Sequence, residues 1–130
     1  MGISFHEFAF LKFSFKKKQF KTLGILGRQE NYLNSDNKFI PINLKKYVNE
    51  KYSDNLLINY FKLENLKTFD VSEKDSPSEL ANFNSLIENP KKFDSFFDGG
   101  SLQHTFNIPI VMKNISNHVK IGGSIIHVVS

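Results

Sequence analysis

Cysteine and tryptophan are both absent from the 130-residue chain. Without cysteine there are no disulfides, no thiolate nucleophile and no thiolate-bound metal, which suits a cytoplasmic protein. Long apolar runs are missing too, so no membrane span and no membrane partner are expected. The phosphate-binding pattern G-x-x-x-x-G-K-[ST] does not occur, and neither does G-x-G-x-x-G. The four histidines, His6, His104, His118 and His127, show no metal-ligand spacing, so no metal is expected.

What is present fits one folded unit, read as a single domain over 1–130 with a helical segment over about 1–20 and a sheet core over about 21–130. Hydrophobic residues make up 40% and charged residues 23%, which argues against wholesale disorder and against a fibre. Phenylalanine is abundant at 14 residues, a composition read as bias rather than chemistry. The net charge is +4, with the lysines spread along the chain, so a nucleic-acid partner is not expected. Lys16, Lys17 and Lys18 form the one tight basic run, read as a solvated turn ahead of a buried strand.

The opening "ISFHEFAFLKFSF" is apolar, but Glu7 and Lys12 interrupt it and its basic residues follow it, unlike a signal peptide. It reads as an amphipathic helix over about Ile3 to Leu11. "KTLGILG", Lys21 to Gly27, reads as a buried strand closed by glycine. Helical spacing follows in Ile40, Leu44, Tyr47 and Val48, and again in Leu56, Leu57, Tyr60 and Phe61, with Ser53 or Asp54 as the second N-cap. "LKTFDVS" reads as a strand ending near Asp70, "ELANFN" as a short strand ending near Asn84, and "KFDSFFD" as a strand ended by Gly99 and Gly100. A helix capped by Asn107 then carries Ile108, Val111, Met112, Ile115 and Val119 on one face, closed by Gly122. "SIIHVVS" reads as a buried strand running to Ser130. His6 and His118 read as surface positions, and His127 as structural.

This alternation describes a mostly parallel sheet with helices on both faces. Ligands in such sheets sit outside the carboxyl ends of the strands. That rule gathers Gly27, Asp70, Asn84 and Asp98 to Gly100 on one edge. A strand-end carboxylate beside a glycine-ended strand suits a nucleoside, whose ribose hydroxyls it can accept, and Asp70 is the candidate. Its distance from Gly27 speaks against a nicotinamide site, where the acid follows about 20 residues on.

"FDSFFDGGSLQHTFNIPIVMKNISNHVKIGGSIIHVVS" resembles the region of class I S-adenosylmethionine-dependent methyltransferases from the fourth strand to the fifth. In one bacterial branch the pattern reads D-G-G-T-L-E-H, then F-N, a helix, G-G and an apolar strand. "LKTFDVSE" is similar to that branch's second strand and "LGILGRQ" to its first. The resemblance covers roughly Lys21 to Ser130. It implies a three-layer Rossmann-like sandwich, an S-adenosylmethionine cofactor and a small-molecule methyl acceptor. It also implies that the family's later strands are missing after the fifth, leaving a sheet edge for a second copy or another chain to cover.

Carried over by residue, Gly27 lies beside the methionine part of the cofactor, Asp70 holds the ribose and Asn84 falls near the adenine. Asp98, Gly99 and Gly100 line the cofactor and acceptor side. Arg28 is a candidate for the cofactor carboxylate, and His104 for the base that deprotonates an acceptor, with Asp98 as a second catalytic candidate. Ile25 replaces the first motif's acid, Gln29 its later glycine, and Gln103 the branch's Glu. The alternatives are a non-catalytic truncated fragment or subunit that keeps the fold and, more distantly, a basic nucleic-acid-binding module.

Overall fold

The computed structural model describes residues 2–34 and 38–129. Gly2–Ile3 (β1) leads into helix Phe5–Lys17 (α1), whose start is fixed by Ser4: its backbone N–H and hydroxyl both bond the Glu7 carboxylate. The helix runs well past the expected Leu11 because Phe15 still packs on the core, so Lys16 and Lys17 form its last turn rather than a loop. Thr22–Leu26 (β2) follows. Glu30–Asn31 (β3) then pairs with β1 in a small parallel ladder that the sequence did not announce.

The segment expected as a helix around Leu44 to Val48 is a 3-10 helix, Ile42–Asn49, entered from Pro41. Asp54–Phe61 (α2) buries Leu56 and Leu57, and its N-cap Ser53 turns its hydroxyl to the Gln29 carbonyl instead of to its own helix. Asn65–Asp70 (β4) and the two-residue Glu79–Leu80 (β5) come next; β5 ends well before Asn84. Phe93–Asp98 (β6) then gives way to Ile108–Asn117 (α3), where the Asn107 side chain accepts the Ile110 N–H and Pro109 occupies the first turn.

Val119–His127 (β7) begins almost where α3 stops. Gly122 therefore lies inside a strand, at φ 80, and does not close the helix, and Val119 belongs to β7 rather than to the helical face. Phe93 donates its N–H to the His118 carbonyl, which pulls the chain into the sheet at that point. Ser130, the expected end of this strand, lies outside the described residues.

All pairings in the main sheet are parallel, in the order β5-β4-β2-β6-β7. Side chains alternate between faces along each strand. Leu23, Ile25, Phe97 and Ile126 thus join α1 and α2 in one apolar cluster, while Leu26, Phe69 and Phe96 join Val111 and Ile115 of α3 in the other. The sheet is covered on both faces. Gly24 is small for a packing reason: a Cβ there would stand 2.5 Å from the Phe96 ring.

His118 is buried, contrary to the surface position expected. Its ring packs on Phe69, Phe83 and Phe96, and Nδ1 lies 2.6 Å from the Asn114 carbonyl. Burial pushes its pKa down, so it sits in the core as a neutral ring. Among the described residues no helix is long and apolar enough to cross a membrane.

Candidate functional site

The register levels the carboxyl ends of the strands. Leu26 lies opposite both Phe69 and Asp98, Phe69 opposite Glu79, and Asp98 opposite His127. Residues just beyond these positions therefore share one rim of the sheet, although they are scattered in sequence.

A cleft of ≈ 160 Å³ opens on that rim, walled by Leu26, Gly27, Asp70, Val71, Ala81–Asn84, Ser101, His104 and Thr105. Four of the expected residues, Gly27, Asp70, Asn84 and His104, meet there. Gly27 is buried with φ 74, a backbone conformation that favours glycine, and its N–H donates to the Phe69 carbonyl at 2.7 Å. Asp70 is half-buried at the end of β4, with Oδ1 accepting the Ser72 N–H at 3.2 Å.

Asn84 has a second task in the cleft wall. Its Oδ1 accepts the N–H groups of Phe106 and Asn107 at 2.9 and 3.0 Å, tying the loop after β5 to the entry of α3. Ser101 and Thr105 were not among the expected residues. Ser101 donates its hydroxyl to the Leu26 carbonyl at 2.8 Å, and Thr105 to that of Leu102 at 2.7 Å. The only sequence signal for them is their position just after Gly99-Gly100.

A second depression, ≈ 320 Å³, lies against Gly99, Gly100, Gln103, Val128 and Val129, with Glu7 on its side. His104 lines this one as well. The exposed imidazole stands on a short 3-10 turn, Leu102–His104, on the boundary between the two hollows. Gly99 and Gly100 thus border the second depression rather than the cleft that holds Asp70.

Asp98 is fully buried and faces neither hollow. Its Oδ1 accepts the N–H of Gly100 at 3.2 Å, of Ser101 at 2.7 Å and of Leu102 at 3.3 Å, and its Oδ2 stands 3.2 Å from His127 Nδ1. The carboxylate holds the loop on which Ser101 and His104 sit. It lines neither hollow, and what its contacts do is position that loop.

Arg28 is also committed. Its guanidinium forms an ion pair with Asp54 at 2.9 Å, donates to the carbonyls of Asp75 and Ser76, and stacks on Tyr52 at 4.0 Å. Burial pushes the Asp54 carboxyl up by more than Arg28 draws it down. Arg28 therefore pins the segment after β4 to the start of α2. Gln29, beside it, is completely buried and donates to the Gly27 carbonyl at 2.9 Å, filling the turn after β2 with side chain.

These features suit the nucleoside portion of a cofactor: a carboxylate to accept ribose hydroxyls, a glycine turn that lets a ligand approach the backbone, and an apolar wall from Leu26, Val71 and Phe83. Arg28, committed to Asp54, Asp75 and Ser76, lines neither hollow. Among the described residues, no group of three or more His, Asp or Glu side chains is placed to hold a metal ion. The class the fold and cleft define is thus an α/β protein with a five-stranded parallel sheet and a small cleft at its carboxyl rim. No protein-family model, curated protein or solved structure matches the chain.

Proposed function

We propose that the cleft beside Asp70 binds the nucleoside part of S-adenosylmethionine, and that the chain is a class I methyltransferase, or its cofactor-binding core, acting on a small-molecule acceptor. The observation that carries the reading is the convergence of Gly27, Asp70, Asn84 and His104, from four separate segments, on one cleft. The strand order supports it: β4 and β5 extend to one side of β2, β6 and β7 to the other. That reversal is where doubly wound, Rossmann-like sheets bind nucleotides.

In this reading Asp70 accepts the ribose hydroxyls, Asn84 and the backbone of Ala81–Phe83 border the base, and Gly27 leaves room for the cofactor to approach the backbone beside its methionine part. The cofactor, when bound, supplies an electrophilic methyl group. The acceptor occupies the second depression, beside Gly99 and Gly100. His104, which lines both hollows, takes a proton from the acceptor in this reading. Asp98 acts through the loop it holds. The setting is cytoplasmic, and the outer edge of β7 is where a second copy or another chain would cover the sheet.

A second reading, ligand binding without turnover, is favoured by the burial of Asp98 and by the size of the cleft. At ≈ 160 Å³ it is below the roughly 300 Å³ at which sites for whole small molecules begin. Titration calorimetry with S-adenosylmethionine and S-adenosylhomocysteine separates these readings from none at all. The cofactor reading expects heat of binding for both, and a further requirement for turnover is loss of methyl transfer in His104→Gln with binding retained. Silence from both ligands at millimolar concentration overturns both readings.

A further inference from the structure

Helix α1 has two faces, and the fold uses one. Phe8, Leu11 and Phe15 turn inward and pack on the core. On the outer side Phe5, Phe10 and Phe13, joined by Phe39, are between 45% and 56% exposed. Four adjacent exposed rings exceed the scattered apolar residues of an ordinary surface and mark a contact face.

The same face is basic. A shallow apolar hollow lies among Phe5, Ala9, Phe13 and Phe39, bordered by Lys12 and Lys16. On the far side of those two lysines a wider hollow of ≈ 460 Å³ is lined by Lys17, Lys18 and Lys62 together with Phe15 and Tyr60 and, among the described residues, by no acid. Lys18 also donates to the Gly122 carbonyl. The one acid of α1, Glu7, is bonded to Ser4 and borders the depression near Gly99, away from this patch.

We propose that the outer face of α1 docks on an anionic phospholipid surface, with the phenylalanine rings entering the interface and Lys12, Lys16 and Lys17 meeting the head groups. The chemistry is that of an interfacial helix rather than a span: an apolar stripe flanked by lysines, lying flat. Helix α1 is 13 residues, or about 20 Å, which suits lying in that plane and is too short to cross it. Charge complementarity selects an anionic surface, each lysine adding an attraction that salt screens.

A single-stranded nucleic acid also meets lysines and aromatic rings, but it needs open ring faces in a groove. Here two of the four rings already carry a cation: the Lys12 ammonium lies 5.1 Å from the Phe39 centroid and Lys17 lies 4.9 Å from that of Phe13. A base would have to displace them. Lysines that instead lift toward head groups free the rings for the lipid interface.

The test is co-sedimentation of the full chain with vesicles of phosphatidylcholine and of an equimolar phosphatidylcholine–phosphatidylserine mixture. The proposal expects partition onto the anionic vesicles, little onto the neutral ones, and loss of binding as salt rises. The triple variant Lys12→Gln, Lys16→Gln, Lys17→Gln should bind on the order of 100-fold more weakly. Phe13→Ser should weaken binding at unchanged helix content. Should that variant fail to fold, the lysine variant, altered only at charged surface positions, decides alone. Equal binding to both vesicles, no binding to either, or tighter binding to an oligo-deoxythymidine than to the anionic vesicles overturns the proposal. So does a solution dimer that Phe13→Ser dissociates, which would assign the face to a second copy.

Discussion

Two aspartates end two strands of the same sheet, and their fates are opposite. Asp70 closes β4 as "TFDVS" and Asp98 closes β6 as "FFDGG". Asp70 stands half-buried in the wall of a cleft with one backbone N–H on its Oδ1. Asp98 is sealed beneath its own loop, with three N–H groups and a histidine around it.

The neighbours make the difference. β6 lies between β2 and β7, and Gly100, at φ 108, lets the chain curl back so that successive amides point at the carboxylate. β4 has only the two-residue β5 on its outer side, and of the turn that follows only the Ser72 N–H closes on the acid. A strand-end acid thus stays open to a cleft where the next strand is short, and becomes a loop anchor where glycines fold the loop over it.

Breaking the buried member should cost most. Asp98→Ala leaves three loop amides without their acceptor and should lower stability by about 3 kcal/mol or more, read as a shift in the urea midpoint. Gly99→Ala comes next. Its Cβ would stand 2.7 Å from Gln29 Oε1 and 2.9 Å from the Phe97 ring, and overpacking of this kind costs about 1–3 kcal/mol.

Asp94, at the opposite end of β6, sharpens the contrast by pH. Burial pulls its carboxyl up, but the amides of Lys21 and Thr22 and the Lys120 ammonium outweigh that and hold it down at about 2. Because the folded value lies below the ordinary 3.8, its stabilisation is complete above that value and fades as pH falls through about 2. Asp94→Asn should flatten this acid limb in a pH series of thermal melts, without moving the histidine region. The smallest effect belongs to Asp70→Ala, within about 0.5 kcal/mol in the same urea titration, since the side chain supports one turn bond.

Much of this layout was legible in the sequence. Apolar runs located β2, β4 and β6, and Asn107 with Pro109 located α3, because those signals are local. The parallel alternation then brought Gly27, Asp70 and Asn84 to one rim. What was not legible depends on distant partners. Arg28 is spent on Tyr52, Asp54, Asp75 and Ser76, none near it in sequence, and His118 is enclosed by rings from β4, β6 and the loop after β5. The start of β7 was hidden for another reason: Val119 continues the helical period of α3, and only pairing with Phe93 makes it a strand.

The central claim is that Asp70 is the ligand-binding member of the pair. It is tested most directly by titrating S-adenosylhomocysteine into the unmutated chain and into Asp70→Ala, with a urea melt of each. The account predicts binding that falls roughly 10- to 100-fold in Asp70→Ala while stability is kept. Binding that survives the substitution undiminished, or no binding by the unmutated chain at millimolar ligand, would contradict it.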